Sequence, residues 1–175
     1  MGRPTLILVT GPAGSGKTTL AHHLAAEIGC PALSRDELKQ GMALSHPGFV
    51  ASHSDPLTRR TYGLFFEVMS LLLRADVTLV AEAAFQHSLW VRGLPPLNEL
   101  ATLSVVRCLV PDEVARGRQQ HRLLSQSTRT AHADAEHLMR ADAFEPLHLD
   151  VPTIDVDTSD GWRPSLRAIV EFCRN

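Results

Sequence analysis

With 175 residues, 44% of them hydrophobic and 21% charged, the chain suffices for one compact domain with a sizeable core and lacks the bias of disordered, collagen-like or coiled-coil sequences. A formal net charge of -2 supplies no overall positive field for duplex nucleic acid or an anionic membrane, although it leaves room for a local basic patch. Cys30, Cys108 and Cys173 are odd in number without Cys-x-x-Cys spacing, which argues against a disulfide framework or structural zinc and for a reduced, cytoplasmic protein.

Thr5 to Thr10 is an apolar, β-branched run, too short for a signal peptide or membrane span, and its continuity predicts a strand buried on both faces. Helix follows from Lys17, with Leu20, Leu24 and Ile28 at four-residue spacing and Gly29 placed to close it in the left-handed conformation. Pro31 to Ser34 reads as a short second strand and Asp36 to Met42 as a brief helix ending near Gly41. His46 to Ser54 is a loop, and Asp55-Pro56 an N-cap with first-turn proline opening a long helix to about Arg74. Val77 to Ala81 and Thr102 to Val110 are further buried strands, with Ser88 to Leu100 between them helical but interrupted at Gly93 and Pro95-Pro96. Asp112 opens a polar helix, and helical character resumes over Ala131 to Phe144. Thr153 to Val156 is the last strand, before a turn at Thr158 to Gly161 and a closing helix near Pro164 to Phe172. This alternation predicts an α/β fold whose mainly parallel, five-stranded sheet is covered on both faces, with ligands at the carboxyl ends of the strands.

Gly11-Pro12-Ala13-Gly14-Ser15-Gly16-Lys17-Thr18 satisfies G-x-x-x-x-G-K-[ST] directly between a strand and a helix. Triphosphate oxygens need many donors close together. The glycines let the backbone turn its N-H groups inward as an anion nest, and the helix N-terminus adds partial positive charge. Lys17 should reach the β- and γ-phosphates, Thr18 should offer its hydroxyl to a bridging Mg²⁺, and Thr19 should lie near the phosphates.

Asp36 follows the second strand candidate and is a candidate base for an acceptor hydroxyl, or simply the cap of the next helix. Glu82 ends the buried run from Thr78 and is either part of the metal shell opposite Thr18 or a plain strand-end charge. Arg116, Arg118, His121, Arg122 and Arg129 lie outside the apolar pattern. As a lid they would close arginines onto the transferring phosphoryl group; otherwise they are a solvated helix face. Arg59 and Arg60 could meet an acidic acceptor or face solvent, with Phe65 and Phe66 in the core. The histidines show no H-E-x-x-H spacing, and Trp90 and Trp162 read as packing residues rather than base-stacking platforms.

Gly11 to Thr18, Ser34-Arg35-Asp36-Glu37-Leu38-Lys39, Val80 to Phe85 and the arginine stretch together resemble the small P-loop kinases related to polynucleotide 5′-kinase, zeta toxin and chloramphenicol phosphotransferase. The resemblance spans nearly the whole chain. It implies a single P-loop NTPase three-layer sandwich over residues 1–175, with a helical lid around 114–132. Arg35-Asp36 then corresponds to the pair that supplies the base, Lys39 to an acceptor contact, and Glu82 to a metal-site acid that is more often Asp in those relatives. The lid arginines, matched by Arg116, Arg118 and Arg122, would engage the phosphates or adenine, and Asp157 to Gly161 would form an adenine-contacting loop.

The expectation is thus an ATP- and Mg²⁺-dependent kinase acting on a small-molecule hydroxyl acceptor. Asp36, Lys17 and Arg122 are catalytic, the loop residues with Thr19 and Arg116 bind nucleotide, Arg35, Lys39 and Arg60 bind acceptor, and Thr18 and Glu82 serve the metal. A kinase of single-stranded nucleic acid 5′ ends is the alternative enzyme, for which a basic groove would be needed. A nucleotide switch signalling to a protein partner is the alternative of another class, although no guanine-reading motif, obligate protein partner or membrane segment is evident.

Overall fold

Consecutive side chains on a strand point to opposite faces, so a run such as Leu6-Ile7-Leu8-Val9 requires cover on both. The computed structural model, which describes residues 2–52, 55–125 and 144–174, meets that requirement with three layers. In chain order its elements are β1 (Thr5–Thr10), α1 (Lys17–Ile28), β2 (Ala32–Ser34), α2 (Arg35–Leu44), α3 (Pro56–Arg74) and β3 (Leu79–Glu82). There follow α4 (His87–Trp90), α5 (Pro95–Leu100), β4 (Thr102–Leu109), α6 (Asp112–Ser125), β5 (Thr153–Asp157) and α7 (Leu166–Arg174). Leu6 and Leu8 pack with Leu79, Phe65, Met69 and Trp90 on the face covered by α3 to α5. Ile7 and Val9 pack with Val80, Val106, Leu20, Leu24 and Ile169 on the face covered by α1 and α7.

The five strands are parallel in the order β2-β3-β1-β4-β5. Val9 pairs with Glu82 and Ser34 with Glu82, so the carboxyl ends of β1, β2 and β3 finish level with one another. The chain runs from β1 out to the β2 edge, returns through β3, and crosses to β4 on the other side. The end of β1 therefore lies where the connections reverse direction, the place where such sheets bind ligands.

Several boundaries differ from the sequence reading. Helix α2 passes through Gly41 to Leu44, because one glycine costs only about 1 kcal/mol in a helix and Ser45 closes the end with its hydroxyl on the Gly41 carbonyl at 3.1 Å. Strand β3 starts at Leu79 rather than Val77. Asp76 takes a left-handed turn (φ 58°) and the Val77 N-H returns to the Leu72 carbonyl at 3.0 Å, so these residues finish α3 instead. Gly29 (φ 83°) caps α1 and Asp55 caps α3 by accepting from Thr58 N at 2.8 Å, as their residue types suggested. Phe65 and Trp90 are buried, while Phe66 is half-buried against Tyr62 and Trp90. The helix expected over Ala131 to Phe144, and Arg129, lie outside the described residues but for Phe144, which is not helical. No helix among the described residues is long and apolar enough to cross a membrane.

Candidate active site

Six residues, Gly11 to Gly16, link β1 to α1. At Gly14 (φ 81°) an added Cβ would stand 2.3 Å from the Ala115 carbonyl oxygen of α6, so only glycine lets the loop and that helix meet. Gln119 Nε2 donates to the Ala13 carbonyl at 2.9 Å, and the Thr158 hydroxyl is shared between the carbonyls of Ser15 (2.7 Å) and Leu109 (3.0 Å). Arg118 donates from Nη2 to the carbonyls of Thr158 and Ser159, each at 2.8 Å. One arginine thereby ties α6 to the loop after β5, and neighbours on both elements hold the carbonyl side of the glycine-rich loop.

Lys17 arches back over that loop, its Nζ donating to the Pro12 carbonyl at 3.2 Å and lying 4.0 Å from Glu82 Oε1. Two hydroxyls converge on the other oxygen of Glu82: Ser34 Oγ at 2.7 Å and Thr18 Oγ1 at 3.2 Å. Ser34 also caps α2, accepting from Glu37 N at 3.5 Å, which links the start of that helix to Glu82. Glu82 is 2% exposed. Burial pushes its carboxyl above the ordinary carboxylate range; Lys17 opposes the shift, Asp36 adds to it, and the two hydroxyls oppose it.

A cavity of about 950 Å³ opens over these groups, walled by Gly14, Gly16, Lys17, Thr18 and Thr19 from the loop and α1. Ser34, Asp36, Glu37 and Gln40 line it from the β2 side, and Arg118, His121 and Arg122 from α6. Thr158, Gly161 and Trp162 complete it from the β5 side. Trp162 is half-buried with its ring 5.1 Å from that of His23, so it packs against α1 and forms cavity wall together.

Of the residues singled out from sequence, Lys17, Thr18, Thr19, Asp36 and Arg122 share this cavity with Gly14 and Gly16, whereas Gly11, Ala13 and Ser15 shape the loop away from its wall. Five others do not line it: Glu82, buried and reaching the cavity only through Lys17, Thr18 and Ser34, and four basic residues. Lys39 is buried and bonded to Asp55 Oδ2 at 2.8 Å; Arg35 pairs with Asp36 Oδ1 at 3.1 Å from outside the wall; Arg60 is exposed on α3 and Arg116 exposed on α6. The segment expected to be a lid begins, at Ala115 to Gln119, as a helix fixed to the glycine-rich loop, and its continuation beyond Ser125 lies outside the described residues. Sequence reasoning gave no separate role to Ser34, Thr158 or Gln119. Ser34, rather than Asp36, caps α2, as the preference of serine for that position allows; Thr158 was placed only within the loop after β5, and Gln119 carried no local signal, since their partners are distant in the chain.

The strand, glycine-rich loop and helix, set at the reversal point of a five-stranded parallel sheet, define a P-loop kinase-like fold. Residues 6–147 match the model of the family described as AAA domain, and the chain belongs to that family. A "putative kinase" from Chloroflexus aurantiacus j-10-fl is 26% identical, with a TM-score of 0.84 over 99% of this chain and 98% of that one. The gluconokinase of Sinorhizobium meliloti 1021 (18% identity, TM-score 0.54, covering 99% and 91% of the two chains) has the same fold. So does the APS kinase CysC of Mycobacterium tuberculosis in complex with AMPPNP and APS, at 15% identity and TM-score 0.65 over 100% of both chains. Comparison with the curated proteins gives no match.

Proposed function

We propose that the protein is an ATP-dependent phosphotransferase that moves the γ-phosphoryl group to a hydroxyl of a small molecule. The observation that carries this reading is the presence of Asp36 on the wall of the cavity that also holds Lys17 and Thr18. A pure nucleotide switch has no need of a carboxylate there, whereas transfer to an alcohol needs an acceptor for its proton. The family and the kinase-like neighbours agree with it, as does the nucleotide analogue AMPPNP held by the neighbouring APS kinase.

In this reading the loop's N-H groups and Lys17 bind the β- and γ-phosphates. Asp36 accepts the proton of the attacking hydroxyl, and Arg35 at 3.1 Å orients that carboxylate. Arg122 lies on the opposite wall and offsets charge that spreads over the transferring oxygens. The oxygen donors Thr18 and Glu82 fit Mg²⁺, since a hard ion takes one or two carboxylates and keeps water and phosphate for the rest. A buried carboxylate whose charge burial disfavours also gains from a nearby cation. When bound, the ion would neutralise phosphate charge; Ser34 fixes the carboxylate and Glu82 fixes the Thr18 hydroxyl on the protein side.

The reading as a 5′-hydroxyl polynucleotide kinase needs a basic groove on the acceptor side. With Lys39 held by Asp55 and Arg60 off the cavity, it is the weaker of the two. The test is transfer of label from γ-labelled ATP to a pool of small hydroxylated compounds, beside a 5′-hydroxyl oligonucleotide. Asp36→Asn should lower turnover by about 10²- to 10⁴-fold, the usual contribution of a general base, with ATP affinity nearly intact. Transfer undiminished in that variant excludes Asp36 as the base, and label appearing only as free phosphate favours the switch.

A further inference from the structure

Glu82 stands between the glycine-rich loop and the start of α2, and is bonded to both. Its Oε1 lies 4.0 Å from Lys17 Nζ, while its Oε2 accepts from Thr18 Oγ1 at 3.2 Å and from Ser34 Oγ at 2.7 Å. Thr18 lies in the first turn of α1, whereas Ser34 ends β2 and immediately precedes Arg35 and Asp36. The sheet register accounts for the closeness. Ser34 and Glu82 are paired positions on adjacent parallel strands, roughly 4.8 Å apart with side chains on the same face, so a side chain as short as serine's meets the carboxylate.

The Ser34 hydroxyl makes two bonds with opposite roles. Its single proton goes to Glu82, and a lone pair accepts from Glu37 N at 3.5 Å in the first turn of α2. Ser34 is 4% exposed, so water does not readily replace either partner. A hydroxyl that donates to a carboxylate also becomes a better acceptor, which ties the strength of the cap to the placement of Glu82. Residue type matters here. Aspartate caps helices as well as serine does but would set a second carboxylate against Glu82, and glycine caps nearly as well but cannot reach it. Serine is the cap that also donates to a buried acid. Fixing Glu82 Oε2 from the side of Thr18 therefore fixes the hydroxyl, and with it the turn that carries Asp36.

We propose that Ser34 is a positioning residue that couples the nucleotide side of the cavity to the helix bearing Asp36, its hydroxyl joining Glu82 Oε2 to the first turn of α2. This rests on the phosphotransferase reading, which gives Asp36 the acceptor proton and Thr18 and Glu82 the Mg²⁺. The test is amide hydrogen exchange of the full chain saturated with ADP, with and without Mg²⁺, beside a fluorescence titration of Mg²⁺ into the same complex. In the wild type Mg²⁺ should slow exchange in the first two turns of α2 at least threefold. Ser34→Thr, which keeps both bonds, should behave alike. Ser34→Gly keeps most of the capping and loses the bond to Glu82, so the Mg²⁺-dependent slowing should fall below 1.5-fold and Mg²⁺ should bind the ADP complex at least threefold more weakly. A residue that only capped α2 would change exchange equally with and without Mg²⁺. Slowing that survives in Ser34→Gly overturns the proposal. So does its absence from the wild type when ADP and Mg²⁺ both bind, a result that needs no variant to fold and leaves the kinase reading intact. Failure of the wild type to bind ADP overturns both.

Discussion

Lys39 Nζ lies 2.8 Å from Asp55 Oδ2, joining the middle of α2 to the cap of α3, and the two side chains are 5% and 2% exposed. The same carboxylate accepts from Thr58 N at 2.8 Å and Thr58 Oγ1 at 3.2 Å. Burial works against its ionised form, yet the Lys39 bond and the Thr58 donors outweigh it and hold the carboxyl below its ordinary 3.8. A depressed folded-state value means stability that is complete above the unfolded value and lost as pH falls through the folded one. Lys39→Met should therefore lower unfolding free energy at neutral pH by about 3–5 kcal/mol, as for other broken buried pairs. It should also flatten the loss of stability below about pH 3.8, read by urea titration across pH. An undiminished acid slope in Lys39→Met would show that the Thr58 donors alone depress Asp55.

Glu82 has the opposite sign. Its folded-state value is raised, so the native protein binds the proton more tightly than the unfolded chain, and stability declines as pH rises from 4.5 through the raised value. Glu82→Gln should flatten that decline. If Glu82 serves the metal shell, the same variant should weaken Mg²⁺-dependent turnover at least tenfold at neutral pH. A Glu82→Gln enzyme with unchanged Mg²⁺ dependence would remove Glu82 from that role.

Arg118 and Arg116 sit on one helix with different surroundings. Arg118 ties Thr158 and Ser159 to α6, and hydrogen bonds from a charged donor are worth about 1.5–3 kcal/mol. Arg118→Ala should weaken nucleotide binding at least tenfold in a fluorescence titration, through the loosened wall. Arg116, exposed and off the cavity, should change it less than twofold when replaced by alanine. Equal effects from the two would refute the anchoring role.

Gly14 and Gly29 separate steric from conformational cost. Both have positive φ, 81° and 83°, but a Cβ at Gly14 meets the Ala115 carbonyl at 2.3 Å whereas one at Gly29 meets nothing within 4 Å. Gly29→Ala should cost about 1–2 kcal/mol, the ordinary strain of a left-handed residue. Gly14→Ala should cost more and also abolish nucleotide binding, because α6 or the loop must move. Calorimetric melting with and without ATP distinguishes the two.

The phosphate-binding loop was legible because every part of it is local: eight consecutive residues between a buried strand and a helix specify the turn, the donors and the lysine. The strands were legible for a similar reason. Runs such as Leu6 to Val9 and Leu79 to Ala81 are apolar at every position, which only a sheet covered on both faces can use. Caps at Asp55 and Gly29 follow from residue type alone.

What the chain order could not convey was which charges are already occupied. Lys39 and Arg60 read as equally available cations, and only packing showed one buried on Asp55 and the other in solvent. Arg116 and Arg118 differ by half a turn of helix, enough to aim one outward and the other at Thr158. A motif records the types of side chain that short-range geometry brings together. Ion pairing and cavity lining arise between segments far apart in the chain, as in the bond between Ser34 and Glu82 or that between Gln119 and Ala13, so they were decided by the tertiary structure.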